Sequence, residues 1–187
     1  MAKQVIRQLQ LRSPAFSPEE RIPRRHARPP EGLDVSPALT WSPVPPNARE
    51  LVLIVDDPDA PQKEPWVHWV LYRIPSTARG LPEGMPKDER PGNPEGTLQG
   101  RNSWDTIGYG GPLPPVGHGT HEYRFRLYAL DEPLSHHVEP GATKEELLAE
   151  LDGHVVAEGE LVGTYERLSG RGGGGEAVED EPDATAL

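Results

Sequence analysis

Leu51-Val52-Leu53-Ile54-Val55-Asp56-Asp57-Pro58-Asp59-Ala60-Pro61 decides the reading of this chain. Five consecutive apolar residues read as a buried strand, and two carboxylates then stand at its end inside a proline-locked turn. A second β-rich run follows at Trp66-Val67-His68-Trp69-Val70-Leu71-Tyr72-Arg73-Ile74-Pro75, with one histidine in it. A carboxylate at the mouth of one core strand and a histidine inside the next predict a polar pocket sunk in a β-sheet.

Period-2 counting extends this to three core strands. In 50–57, Leu51, Leu53, Val55 and Asp57 share one face and Val52 and Ile54 the other, so both faces are apolar and the strand is central. In 66–74, strict alternation sets His68 with Val70 and Tyr72, opposite Val67, Trp69 and Leu71. In 121–129, His121, Tyr123, Phe125, Leu127 and Ala129 oppose Glu122, Arg124, Arg126 and Tyr128. A one-residue slip would bury both arginines, so this register is strongly specified and His121 points with the apolar side chains.

Outside these strands, residues 1–50 are punctuated by proline, and Val35–Trp41 reads as an edge strand because Pro37 cannot donate to a central ladder. A helix starts at Thr143 with a capping box to Glu146, carries Leu147, Leu148 and Leu151 as its apolar stripe, and stops at Gly153. Residues 160–167 read as the last strand. The domain therefore spans 1–168, and a glycine-rich tail with five acidic residues, read as disordered, spans 169–187.

Composition agrees with a loop-rich, mainly β architecture: 23 prolines and 20 glycines in 187 residues. The net charge of −11 argues against nucleic acid as a partner, despite seven basic residues within 1–30. No stretch has the length and apolarity of a membrane span. The N-terminus has no apolar signal core and the chain has no cysteine, so a cytoplasmic protein without disulfides or thiolate metal sites is expected.

The residues able to carry chemistry are few. Asp57 and Asp59 flank Pro58, with Pro61 closing the turn; the ordinary role of such aspartates is to cap free backbone N–H groups. Asp57 beside His68 would favour the imidazolium, an anion receptor, but the same pair suits a base and its orienter or two metal ligands. The third element, Gly108-Tyr109-Gly110-Gly111-Pro112-Leu113-Pro114-Pro115-Val116-Gly117-His118-Gly119-Thr120-His121, could offer backbone N–H groups to an anion. His118-x-x-His121 has the spacing of a metal pair, yet no third ligand follows in register, and neither metal nor cofactor is expected. Ser103 could be a nucleophile, but nothing in the sequence pairs it with a base.

These residues, with Ser13-Pro14-Ala15-Phe16, Val35–Trp41, Asp56–Pro61, Trp66–Trp69, Gly108–Pro112 and Tyr128-Ala129-Leu130-Asp131 in order, resemble the phosphatidylethanolamine-binding protein family, in its prokaryotic Raf-kinase-inhibitor-like branch. The resemblance covers Leu11 to about Arg167. It implies a large antiparallel sheet packed on a smaller one with few helices, and a small pocket for phosphate-like anions and phospholipid headgroups. Carried over by position, the pocket is Asp57, Asp59, Pro61, Trp66, His68, Gly111, Pro112, His121 and Tyr123, with Tyr109 as a wall. It departs from the family at Glu122, where arginine is usual, and at Leu113, where the bacterial branch often has cysteine. The mammalian C-terminal helix has no counterpart in the glycine-rich tail.

The leading expectation is a binding module, not an enzyme, for a phosphate-bearing small molecule or lipid headgroup. The alternative is a protein-interaction regulator such as a kinase modulator, which rests on family analogy alone. A hydrolase using Asp57 and His68 ranks last. A homodimer is implied only by the habit of the bacterial branch.

Overall fold

Ten elements are strung on the described part of the chain, residues 6–168 of the computed structural model. In order they are β1 (Arg7–Gln8), β2 (Leu11–Arg12), β3 (Leu39–Trp41), β4 (Glu50–Asp57), β5 (Trp66–Pro75), β6 (Gly80–Leu81), β7 (Leu98–Gln99), β8 (His121–Leu130), α1 (Lys144–Leu151) and β9 (Val155–Tyr165). A short 3₁₀ turn adds Arg24–His26. The tail expected over 169–187 lies outside the described residues. No helix among the described residues is long and apolar enough to cross a membrane.

The strands form two sheets. The larger runs β1-β9-β8-β4-β5-β7, antiparallel except where β1 lies parallel to β9, and the smaller runs β2-β3-β6. All eight residues of β4 are buried, so it is central and covered on both sides. Leu51, Leu53 and Val55 enter the core between the sheets with Leu39, Trp41, Trp69, Phe125 and Leu127. Val52 and Ile54 enter a second core beneath Leu134, Val138, Leu147 and Leu151. Each such aliphatic contributes about 1.5–3 kcal/mol by leaving water, which ties β4 to one register against β8.

Four sequence expectations need correction. β3 is the middle strand of the small sheet and starts at Leu39, two residues past Pro37. Proline's missing N–H shortens the strand; it does not move it to an edge. On α1 the capping box forms, and Leu147 and Leu151 are buried, but Leu148 is 41% exposed. The last strand starts at Val155, earlier than its polar alternation suggests. Its Gly163 is needed there, since a Cβ would stand 2.6 Å from Ile22.

The fourth correction concerns the site. The β4–β5 ladder pairs Val55 with Trp69 and then Asp56 with Val67, so His68 is the extra residue of a β-bulge. Below the bulge, Val67 packs with Val70 and Tyr72 in the second core, while Trp69 and Leu71 face the small sheet. His68 turns away from Val70 and Tyr72 and meets Tyr123 from the inter-sheet side. Strict alternation would have put Asp57 and His68 on opposite faces; the bulge puts them on one.

Candidate functional site

Asp57 ends β4 and His121 begins β8, on the face each strand's alternation gives it. Their side chains meet: Asp57 Oδ2 lies 2.7 Å from His121 Nδ1, with both residues buried. Asp57 Oδ1 accepts from the Asp59 N–H at 2.8 Å, the turn cap that prolines 58 and 61 pre-shape. Asp59 Oδ2 in turn accepts from the Glu122 N–H at 2.8 Å, bracing the turn against β8. Glu122 itself pairs with Arg124 on the other face of the sheet.

His68 is fixed from the glycine loop. Its Nδ1 is 2.6 Å from the Gly110 carbonyl, and the Gly110 N–H donates to the His68 carbonyl at 2.8 Å. Burial lowers the His68 pKa from 6.5 to about 4, against the Gly110 bond and the Asp57 charge, which raise it. The imidazolium expected beside Asp57 is therefore absent at neutral pH: desolvation outweighs the carboxylate. The neutral ring donates Nδ1–H to Gly110 and keeps a lone pair on Nε2.

Trp104 arrives from a loop organised by Asn102, whose side chain accepts from the Trp104 N–H at 3.0 Å and donates to the Gly108 carbonyl at 3.0 Å. Its ring stands edge-on to Trp66 (5.3 Å between centroids) and to His68 (5.0 Å), and Arg28 stacks on it at 4.0 Å. Ser103 Oγ accepts from the Val67 N–H at 2.8 Å next to the bulge, a structural bond rather than a nucleophile's.

Around these residues lies a cleft of about 160 Å³, lined by Asp57, Ala60, Pro61, Gln62, Trp66, His68, Trp104, Leu113, Pro114, Pro115, His121 and Tyr123. Six of the ten residues singled out from the sequence meet there: Asp57, Pro61, Trp66, His68, His121 and Tyr123. The other four stand behind it. Asp59 braces the turn. Tyr109 donates its hydroxyl to the His26 carbonyl at 2.9 Å. Gly111 donates its N–H to Asp34 at 2.7 Å, at a spot where a Cβ would lie 1.9 Å from the His26 carbonyl. Pro112 accepts from the Arg28 N–H at 3.1 Å. Sequence reasoning missed Trp104, whose only local signal is an aromatic in a polar loop, and Leu113, Pro114 and Pro115 as lining residues.

The lining holds no lysine or arginine. Among the described residues it does hold two donors without a well-formed hydrogen bond, Trp66 Nε1 and the buried Tyr123 hydroxyl, the latter beside the Asp57 carboxylate. Burial, then the nearby Asp57 charge, push the Tyr123 phenol well above its ordinary pKa, so it stays a neutral donor. A groove of about 510 Å³ also borders Trp66, past Arg101, Ser103 and Lys144. It is larger, but Lys144 and Arg101 already pair with Asp56 and Asp105, so the smaller cleft is the better candidate. Among the described residues no three histidine, aspartate or glutamate side chains converge in a metal-binding group.

Comparison with known proteins agrees with this architecture. Residues 12–166 match the family described as phosphatidylethanolamine-binding protein. A UPF0098 protein of Methanothermobacter thermautotrophicus is 46% identical over 159 residues, 85% of this chain and 99% of its own. Among solved structures, a phosphatidylethanolamine-binding protein homologue from Chlamydia trachomatis, CT736, is 41% identical with a TM-score of 0.74, covering 86% of this chain and 98% of its own. E. coli YbcL is 32% identical with a TM-score of 0.77, over 84% and 98%. With the family match spanning most of its length, and sheets of six and three strands enclosing its core, this chain belongs to the phosphatidylethanolamine-binding protein family.

Proposed function

We propose that this protein is a binding module that holds a phosphate-like anion, or the phosphate of a small headgroup, in the cleft between Asp57, Trp66, His68, His121 and Tyr123. One observation carries the reading: Trp66, on the cleft wall, has a buried indole N–H with no hydrogen-bond partner among the described residues. A buried, unsatisfied donor costs about 1–3 kcal/mol, and a ligand oxygen seated there would recover it. The Tyr123 hydroxyl, beside the Asp57 carboxylate without a well-formed bond to it, supplies a second donor, and family membership supports a small-ligand site. Phosphate oxygens accept up to several such bonds, whereas the donor set without lysine or arginine gives little long-range attraction.

Calorimetric titration with inorganic phosphate and with O-phosphoethanolamine tests this. Saturable binding that weakens at least tenfold in His121→Ala, and measurably in Tyr123→Phe, is the expected result. Absence of binding by either compound, or wild-type affinity in both variants, would refute it.

A further inference from the structure

The sequence singles out His118 and the proposed binding leaves it unused, yet it sits on the site. Its Nδ1 lies 2.7 Å from His121 Nε2, the ring nitrogen on the far side from Asp57. Both nitrogens of His121 are thus occupied: Nδ1 by the Asp57 carboxylate, Nε2 by His118. No nitrogen of His121 is left for a ligand.

His118 is the exposed end of this chain of three, in a turn where its own N–H donates to the Pro115 carbonyl at 3.2 Å and the Gly117 N–H to the Arg167 carbonyl at 2.9 Å. It is carried between Gly117 and Gly119, at φ 74° and 92°, and a Cβ on Gly119 would meet nothing within 4 Å. Its exposed side chain, next to open space at Gly119, is a short arm that can turn away from His121 by side-chain rotation without repacking the core.

We infer that His118 is a latch on His121, and that an oxyanion binds the cleft by taking the place of His118 at His121 Nε2. The inference rests on the phosphate reading above. Proton counting gives the latch a definite property. The Asp57 carboxylate accepts from Nδ1–H, so a neutral His121 has a lone pair on Nε2 and receives the His118 Nδ1–H. A cationic His121 donates Nε2–H to the lone pair of a neutral His118. With a proton on both facing nitrogens the bond is lost and the arm is released. An oxyanion can accept only from Nε2–H. Binding to the neutral pair therefore needs one proton placed on Nε2, brought by a P–OH of the ligand or taken from solvent.

Other titratable groups near His121 are Asp57 from β4, His68 from β5, Tyr123 on β8 itself, and Tyr165, its register partner on β9 with Arg21 stacked 4.4 Å from the ring centre. Asp59 and Glu122 meet each other at the adjacent turn. His68 is neutral near pH 7 and Tyr123 a phenol there, so the proton in the contact lies between His118 and His121.

Two measurements test the latch. Inorganic phosphate should bind His118→Ala roughly three- to tenfold more tightly than the wild type, the worth of one hydrogen bond no longer broken. Unchanged or weaker binding by His118→Ala, with wild-type binding intact, would overturn the latch alone. Imidazole ¹⁵N shifts of the ligand-free protein read the contact without any ligand. The His121 Nε2 resonance should move on His118→Ala. An unmoved Nε2 would overturn the latch even if phosphate does not bind, an absence of binding that would by itself sink the proposed function.

Discussion

Asp56 and Asp57 are neighbours on one strand, and they face opposite ways into different chemistry. Asp56, fully buried, is held by Arg126 at 2.5 and 2.6 Å and by Lys144 at 2.6 Å, two cations on one carboxylate. Asp57, almost as buried, meets a histidine and a backbone N–H and no lysine or arginine. The first is saturated and joins β4, β8 and α1 on the side away from the cleft. The second leaves its histidine partner able to exchange a proton and a bond. A buried charge that is fully neutralised holds structure together, while one matched only by a titratable group is suited to binding.

The contrast can be broken in stages. Asp56→Ala should have the largest effect, destabilising the fold by about 3–5 kcal/mol because it strands partly buried cations. Urea denaturation measures it, and a loss below about 1 kcal/mol would mean Asp56 is no more structural than Asp57. On the Asp57 side, acid is the probe. His68 titrates near 6.5 when unfolded and at about 4 when folded. Between these values the unfolded chain binds the extra proton, so stability falls with falling pH by about 1.4 kcal/mol per pH unit from this group. His68→Gln should flatten that part of the stability–pH curve; an unchanged slope would place the sensitivity elsewhere.

Asp57→Asn should cost less stability, about 1–3 kcal/mol from one weakened buried hydrogen bond. It should also lose phosphate affinity at least tenfold, and retained affinity would erase the functional half of the contrast. The smallest effect sharpens the Asp56 half. Thr143→Ala removes the N-cap of α1, next to Lys144, and should cost about 1 kcal/mol. In a double-mutant cycle with Lys144→Met the two losses should fall short of additive, because the cap positions that lysine over Asp56.

The core strands were largely legible because both of their signals are local. Leu51 to Val55 is apolar on both faces, which only a central strand satisfies. The alternation through His121–Ala129 admits one register, because the other would bury Arg124 and Arg126. Thr143 and Glu146 announce the helix through a four-residue motif. The paired two-residue strands β1, β2, β6 and β7 were invisible, since such short segments carry no period and exist only because a partner strand lies alongside. Leu148 failed for a related reason: which leucines of a short helix are buried depends on what lies against it.

At the site, alternation along β4 and β8 is enough to set Asp57 and His121 on the inter-sheet face, because side-chain direction within a strand follows from counting. It could not bring His68 to them. Strict alternation turns His68 the wrong way, and only the slip in hydrogen-bond pairing between β4 and β5, a property of two strands together, reverses it. Trp104 and His118 likewise come from loops whose paths are set by glycines and by bonds to distant backbone, not by any local repeat. The decision that His68 is neutral belongs to the tertiary structure as well, because desolvation depends on every atom packed around the ring.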